Sequence, residues 1–376
     1  MNKIKNFIKN EIVLCIAIIL AFISSVFVGI DSTYIDYIDF STLAILFCLM
    51  TVMAGLSDIG VFDKIARFLI RKFNSFRSIV SVLIFLCFFF GMFITNDVAL
   101  ITFVPLSIIV LKLLGNDNFK KWIIPVVIMQ TIAANLGSML LPMGNPQNLY
   151  LFSKSKMSLI DFIGTMLPYT VLSFVLILIW IIVSTAKNNF TISISMDSPE
   201  KNDNRPVFSL VCYLALFLLC LCSVIKLIPY QISFVIVLVA IILFNYRILL
   251  KVDYALLFTF VALFIFIGNM QKISFFNNFL LDFVSGKEVF TAIASSQVIS
   301  NVPSALLLSG FTDKYHALLV GVNLGGLGTL IASMASLISY KYVIKEANEL
   351  RGKYILKFTI YNIIFLLILV LFDIFL

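Results

Sequence analysis

The chain has 376 residues, of which 61% are hydrophobic and 12% are charged, and its formal net charge is +8. Soluble domains are about 45–50% apolar and about 25% charged, so this composition excludes an ordinary soluble protein. In a membrane protein an excess of Lys and Arg is explained by cytoplasmic loops, so it gives no reason to expect nucleic acid as a partner. Apolar runs of about 20 residues predict helices that cross the lipid bilayer, and their length argues against the short alternating strands of a membrane barrel.

The chain divides into two hydrophobic halves, residues 1–184 and 207–376, which are joined by a hydrophilic segment, 185–206, interpreted as a cytoplasmic linker. In the first half the predicted full spans cover residues 12–30, 41–56, 122–150 and 160–183. In the second half they cover residues 207–227, 230–246, 254–270, 317–340 and 355–375. Residues 58–77 place cations between apolar residues at helical spacing, which indicates an interfacial helix. The sequence thus predicts an all-α polytopic membrane protein with about nine full spans.

A polar tripeptide, Thr95-Asn96-Asp97, interrupts the apolar residues 79–111. The arms on either side have about 14–16 residues each, or roughly 21–24 Å of helix, which is too short for a full crossing. Cations lie at both outer ends, with Arg77 before the first arm and Lys112 after the second. We therefore predict a re-entrant hairpin that enters and leaves by the cytoplasmic face and has the tripeptide at its tip.

The second half repeats this organisation. Residues 300–304 break the apolar segment 288–308, and Asn301 aligns with Asn96, while the Asn-Leu-Gly sequence at 323–325 aligns with the one at 135–137. Pro142 and Pro146 indicate that the span following the first hairpin is unwound. Each half therefore has an interfacial helix, a hairpin, an unwound span and a final span in the same order. Paired discontinuous helices in an inverted repeat are typical of alternating-access transporters.

The distribution of cations predicts the orientation in the membrane. If both breaks are hairpins, 21 of the 27 Lys and Arg residues fall on the cytoplasmic side. This places the N-terminus inside and the C-terminus outside, and it makes the two halves enter the membrane from opposite sides. We expect a multi-pass protein of the cell membrane.

Hairpin tips and unwound spans expose N–H groups at helix starts, which attract anions, and carbonyls at helix ends, which coordinate cations. The candidate binding residues of the first half are Thr95, Asn96, Asp97, Asn135, Gly137, Ser138, Gly144, Asn145 and Asn148. Those of the second half are Ser300, Asn301, Ser304, Asn323, Gly325 and Thr329. Asn96, Asp97 and Gly137 form the candidate Na+ site, and Asp97 is the only acid predicted at membrane depth. The alternative role for Asp97 and Ser304 is helix N-capping, and for the prolines it is simple kinking.

Four groups of segments together resemble the ion transporter superfamily, in particular its citrate-transporter and arsenical-pump/NhaD-type permease branch. They are residues 38–40 with 60–62, Thr95-Asn96-Asp97 with Pro105, residues 144–148, and residues 323–325 with 333–336. The resemblance covers nearly the whole chain and implies secondary transport, elevator-like motion and, in many members, a homodimer. Dicarboxylate members carry Ser-Asn-Thr at both tips, whereas this chain has Asp97 and Val302 at the third position. The Asn-Asp pair is closer to the arsenical-pump and sodium/proton-antiporter pattern.

We therefore predict a secondary active transporter that moves a small anion or oxyanion, similar to citrate or a dicarboxylate, with H+ or Na+ as the coupling ion. The alternatives are efflux of arsenite or antimonite, Na+/H+ antiport, and a channel. A single histidine and the lack of clustered acids disfavour an intramembrane enzyme. We expect no cofactor other than the coupling ion, and the expected partners are the lipid bilayer and the solute.

Overall fold

The computed structural model describes residues 11–186 and 207–376, and every regular element in these ranges is helical, which confirms the all-α fold. The first half contains α1 (Ile12–Val28), α2 (Tyr34–Tyr37), α3 (Phe40–Asp58), α4 (Val61–Arg71), α5 (Phe76–Ile94), α6 (Asn96–Leu113), α7 (Asn116–Ser138), α8 (Pro146–Ser155) and α9 (Leu159–Thr185). The second half contains α10 (Val207–Val224), α11 (Tyr230–Asn245), α12 (Tyr254–Lys272), α13 (Ser274–Val284), α14 (Glu288–Ile299), α15 (Asn301–Leu308), α16 (Tyr315–Leu324), α17 (Met334–Glu346) and α18 (Arg351–Phe375). Most of the predicted linker, residues 187–206, lies outside the described residues.

The helix α7 lies at the centre of the protein. Every residue from Trp122 to Ser138 is buried, and α7 packs against α5, α6, α9, α17 and α18. A helix without a solvated face is stable only where other helices cover it on all sides. Helix α7 therefore packs between helices of the first half and helices of the second half.

The chain reverses at Thr95, as the sequence predicts. Gln130 of α7 donates from Nε2 to the carbonyl oxygen of Leu83 in α5 at 3.0 Å and to Ser107 Oγ in α6 at 2.8 Å. Leu83 and Ser107 each lie 12 residues from Thr95 along the chain. One amide can reach both only if α5 and α6 run side by side, so the two helices form a hairpin.

The arms of this hairpin are longer than the charges in the sequence suggest. Helix α5 has 19 residues and α6 has 18, which is about 27–28 Å of helix. Ser75 caps α5 by accepting a hydrogen bond from Ser78 N at 3.2 Å, so Arg77 lies inside the first turn, where its Nε donates to Thr185 Oγ1 at 2.9 Å. The long side chain of an arginine can reach a polar partner without ending the helix, and the predicted arm length is therefore wrong.

Helices α14 and α15 form the second hairpin. The hydroxyls of Ser295 and Ser304 contact each other across the two arms, and Thr312 Oγ1 donates to Glu288 Oε1 at 3.2 Å where the arms end. Both contacts join residues on opposite sides of Ser300. The order of elements from α13 to α18 therefore repeats the order from α4 to α9.

Two ion pairs show that the equivalent helices α3 and α12 run in opposite directions. Asp58, the last residue of α3, pairs with Lys251 just before α12. Asp31, which precedes α3, pairs with Lys272, the last residue of α12, at 3.1 Å. Each helix also begins with the same cap, because Asp39 and Asp253 accept a hydrogen bond from the backbone N–H three residues later. The two halves are therefore an inverted repeat.

Eight helices of the described residues are long and apolar enough to cross a membrane by their length and composition. They are α3, α5, α6, α9, α10, α11 with its following turn, α12, and α18 with its preceding turn. The sequence predicts about nine full spans. That count includes α1 and the two broken spans, α7 with α8 and α16 with α17, and it leaves out the two arms of the first hairpin. The chain is a polytopic membrane protein, and its orientation stays a prediction.

Candidate functional site

The two hairpin tips share an unusual backbone conformation. Thr95 has φ 70° and ψ 150°, and Ser300 has φ 74° and ψ 157°. This region is essentially restricted to glycine, and a residue with a side chain there costs about 1–3 kcal/mol. Both residues immediately precede the aligned asparagines, Asn96 and Asn301, so the strain is repeated at equivalent positions. Strain of this kind is typical of functional sites.

The first tip is held against the end of α7 and the start of α17. Asn96 Nδ2 donates to Asn135 Oδ1 at 2.9 Å, and Asn96 Oδ1 accepts from Asp97 N at 2.9 Å. Asn135 Oδ1 also accepts from Ser333 Oγ at 3.1 Å. The predicted binding residues Asn96 and Asn135 thus contact each other directly. Ser333 lies in a segment that resembles the transporter superfamily, but it is not among the predicted binding residues.

The second tip contacts the break between α16 and α17. Asn301 N donates to the carbonyl oxygen of Ala332 at 2.9 Å, and Ser300 Oγ lies 3.4 Å from the same oxygen. A Cβ at Gly326 would lie 3.0 Å from Asn301 Nδ2, so the glycine allows the asparagine to approach. Ser304 does not cap the returning arm, because its hydroxyl contacts the other arm through Ser295.

A buried amide cluster joins the two broken spans. Asn145 Nδ2 donates to Ser138 Oγ at 3.2 Å and to Asn323 Oδ1 at 3.2 Å, and Asn323 Nδ2 donates to Asn148 Oδ1 at 2.7 Å. Asn148 Nδ2 lies 3.2–3.4 Å from three carbonyl oxygens at the end of α7. Buried carbonyls at a helix end need such partners. Asn148, Asn323 and Ser138 therefore hold the breaks together.

The predicted glycines provide close packing. A Cβ at Gly137 or at Gly144 would lie 2.0 Å from a carbonyl oxygen of a neighbouring segment, and one at Gly325 would lie 2.6 Å from Ser296 Oγ. The Gly137 carbonyl oxygen accepts from Leu140 N at 3.2 Å. Close packing therefore explains why glycine occupies each of these positions, without any bound ligand.

Thr329 lies on an exposed turn beside Gln297, in the last turn of α14 before the second tip. Its backbone N–H donates to Gln297 Oε1 at 2.9 Å, and Gln297 Nε2 donates to the carbonyl oxygens of Gly325 at 3.1 Å and Leu327 at 2.9 Å. Gln297 thus ties α14 to the turn after α16. Gln297 could not be recognised from the sequence, because its partners lie about 30 residues later in the chain and a single amide inside an apolar helix does not identify them.

A cavity of about 480 Å³, here called the tip cavity, opens beside the first tip. Its polar lining consists of Ser57, Asp58, Thr95, Asp97, Asn145, Lys251 and Asp253. Three of the predicted site residues, Thr95, Asp97 and Asn145, belong to this lining. The sequence reasoning missed Asp58, Lys251 and Asp253 because the end of α3 and the start of α12 come together only through the antiparallel packing of the two repeats.

The tip cavity combines features that attract both signs of charge. Thr95 and Asn145 precede the starts of α6 and α8, and Asn145 Oδ1 accepts from Asn148 N at 2.9 Å. The starts of two helices therefore border this cavity. Side chains already accept from the backbone N–H groups of Asp97, Val98 and Asn148, so it is the positive ends of the two helix dipoles that favour an anion there. Asp97 favours a cation, because its Oδ1 is buried and has no hydrogen-bond partner among the described residues.

The first tip carries oxygen atoms of the kinds that coordinate a monovalent cation, at and beside the predicted Na+ site of Asn96, Asp97 and Gly137. They are Asp97 Oδ1, Thr95 Oγ1 and the carbonyls at the end of α5, a combination of carboxylate and broken-helix carbonyl that suits Na+ or a proton. In residues 11–186 and 207–376, no group of three or more His, Cys, Asp or Glu residues could hold a metal ion.

One protein family and several known membrane proteins are similar in sequence to this chain. The profile of the citrate transporter family matches residues 4–313. An uncharacterized transporter of Methanocaldococcus jannaschii is 32% identical over 333 residues, 89% of either chain. The inner membrane protein YbiR of Escherichia coli is 32% identical over 84% of this chain and 82% of its own. A silicon efflux transporter of Oryza sativa is 30% identical over 38% of this chain and 28% of its own.

Proposed function

The chain belongs to the citrate transporter family, and we propose that it is a secondary active transporter that moves a small anion or oxyanion, similar to citrate or a dicarboxylate, with H+ or Na+. Membership in this family also favours transport over an enzymatic activity. The observation that carries the proposal is the buried, unpartnered Oδ1 of Asp97 beside a cavity bordered by two helix starts.

The opposite charge preferences of the tip cavity support cation-coupled transport. The N-termini of α6 and α8 attract an anion, and a cation or a proton at Asp97 removes the repulsion between that anion and the carboxylate. The bound cation then increases affinity for the anion, and each depends on the other to the same extent. Alternating access would carry both across the membrane together.

Alternating access requires that the site be reached from one side at a time. The tip cavity is bounded by the end of α3 and the start of α12, the ends that carry the pair of Asp58 and Lys251. The charge distribution predicts this side to be cytoplasmic. We place the protein in the cell membrane with the N-terminus inside and the C-terminus outside, and a homodimer is the proposed assembly.

Flux measurements in proteoliposomes test the proposal. Purified protein is reconstituted, a proton or sodium gradient is imposed, and uptake of citrate, succinate, sulfate and arsenite is measured. Asp97→Asn removes the charge with little change in shape, and we expect it to reduce ion-driven uptake at least about tenfold, equivalent to about 1.4 kcal/mol. Asp63→Asn is the matched control, because Asp63 is exposed on α4. If Asp97→Asn and Asp63→Asn transport alike, Asp97 does not couple transport to the ion.

A second candidate is efflux of arsenite or antimonite, or exchange of Na+ for H+. The tip cavity is lined by three carboxylates and one lysine, which disfavours an anion without an accompanying cation. One relative is named a silicon efflux transporter, which makes a metalloid compound a reasonable cargo. Loss of preloaded arsenite from the same liposomes, or sodium-driven proton movement without any organic solute, would favour this candidate.

A further inference from the structure

A second cavity, of about 490 Å³, lies where the end of α3 meets the start of α10 and the turn after α11. Its charged lining consists of Asp58, Arg247 and Lys251, and its apolar lining includes Phe208 and Phe244. Asp58 ends α3, and Phe208 is the second residue of α10. The cavity therefore lies at the ends of membrane helices, at the level where lipid headgroups meet water.

The charges of this second cavity favour an anion. Lys251 pairs with Asp58, and their charges offset each other. Arg247 is exposed, and no carboxylate of the described residues pairs with it. Among the described residues, the lining therefore has one positive charge in excess. A guanidinium binds phosphate with paired hydrogen bonds, which makes a phosphate group its best-suited partner.

The apolar lining favours a ligand with hydrocarbon chains. Phe208 is 61% exposed and Phe244 is 55% exposed, and their ring centroids are 5.9 Å apart. Leu243, which directly precedes Phe244, is 76% exposed. Side chains of this kind at the end of a membrane helix face lipid, so the second cavity opens toward acyl chains. A small soluble anion would have no use for this surface.

We propose that the second cavity binds the phosphate headgroup of an anionic membrane lipid, with Arg247 contacting the phosphate and the acyl chains lying against Phe208 and Phe244. Basic pockets between membrane helices near the membrane surface are suited to such headgroups. The volume is within the range of specific ligand sites.

The second cavity shares part of its lining with the tip cavity. Asp58 and Lys251 contribute to both. A phosphate beside Lys251 competes with Asp58 for the ammonium group, so a bound lipid weakens the ion pair that lies between the two cavities. This effect on transport rests on the proposed function, whereas binding of the lipid does not.

Binding is measured on the whole protein in a neutral detergent, without any transport assay. The midpoint of thermal unfolding is recorded against increasing short-chain phosphatidylglycerol, phosphatidylcholine with the same chains, and inorganic phosphate. Of the two lipids, we expect saturable stabilisation by phosphatidylglycerol only. Arg247→Gln should weaken its apparent affinity about fivefold, and Arg351→Gln, which changes an exposed arginine at the start of α18, should leave it unchanged.

A second variant tests the cavity without changing its charge. Cys212→Phe fills the lining on α10 and should abolish stabilisation by phosphatidylglycerol while the lipid-free protein still unfolds cooperatively. Equal stabilisation of wild type, Arg247→Gln and Cys212→Phe would overturn the proposal, because the lipid would then bind elsewhere. Equal stabilisation by phosphatidylcholine would also overturn it, in favour of an uncharged contact. Stabilisation by inorganic phosphate that is lost in Arg247→Gln would overturn it in favour of a free anion, whereas a phosphate effect that Arg247→Gln leaves unchanged belongs to the tip cavity.

Discussion

The strained tip of the second hairpin predicts that a glycine there stabilises the protein. Ser300→Gly removes a strain of about 1–3 kcal/mol and adds a backbone entropy cost of about 0.5–1 kcal/mol. The Ser300 hydroxyl makes only long contacts of 3.4 Å and does not cap α15, so little else is lost. We expect a net gain of about 0.5–2 kcal/mol, or a rise of about 1–3 °C in the thermal midpoint for a chain of this length.

Two further variants separate strain from other effects of the substitution. Ser300→Ala keeps the strained backbone and should match the wild type within about 0.5 kcal/mol. Ser81→Gly places a glycine in the middle of α5, where it should reduce stability by about 0.5–1 kcal/mol. The assay is thermal unfolding of the purified proteins in one detergent. If Ser300→Gly is destabilised as much as Ser81→Gly, the tip is not strained and the reasoning fails. Transport should nevertheless become slower in Ser300→Gly, because a flexible tip no longer holds Asn301 in place.

Two other predictions concern packing and pH. Gly137→Ala places a Cβ 2.0 Å from the Phe88 carbonyl oxygen and should lower the free energy of unfolding by about 1–3 kcal/mol. In the control Gly164→Ala, nothing lies within 4 Å of the added Cβ, so the free energy of unfolding should be unchanged or slightly higher. Hydrogen bonds from Thr33, and to a lesser extent from a neighbouring lysine, hold the pKa of Asp31 below its usual value. Its contribution to stability is therefore present above about pH 4 and is lost as the pH falls through the lowered pKa. Thr33→Val should reduce this acid-induced loss in melting curves between pH 5 and pH 3, and an unchanged curve would contradict the assignment.

The repeat and its breaks could be predicted from the sequence because each depends on local patterns. Polar residues within apolar runs, such as Asn96 and Asn301, mark positions where a regular membrane helix cannot continue. The lengths of the hairpin arms could not be predicted in this way. They depend on the Ser75 cap and on the contact of Arg77 with Thr185, which lies 108 residues later in the chain.

The site was predicted only in part, and the reason is again one of distance along the chain. Asp97 is recognisable because a carboxylate is costly at membrane depth. Asp58 and Asp253 border ordinary helix ends, and only the packing of α3 against α12 brings them to the tip cavity. Gly137 shows the opposite difficulty, since a glycine next to a polar break fits a binding site and close helix packing equally well.

The amide cluster between the broken spans has a consequence for how the protein is made. Asn145 and Asn148 belong to the first half, and their partner Asn323 follows 178 and 175 residues later. During synthesis the first half therefore enters the membrane before the side chain that completes its hydrogen bonds exists. Asn145 and the amide nitrogen of Asn148 have partners within the first half, but Asn148 Oδ1 accepts from Asn323. Until α16 arrives, that oxygen must be held by water or by the insertion machinery, because hydrocarbon offers it no partner. The hydrogen bonding inside the first half is therefore completed only when the second half packs against it.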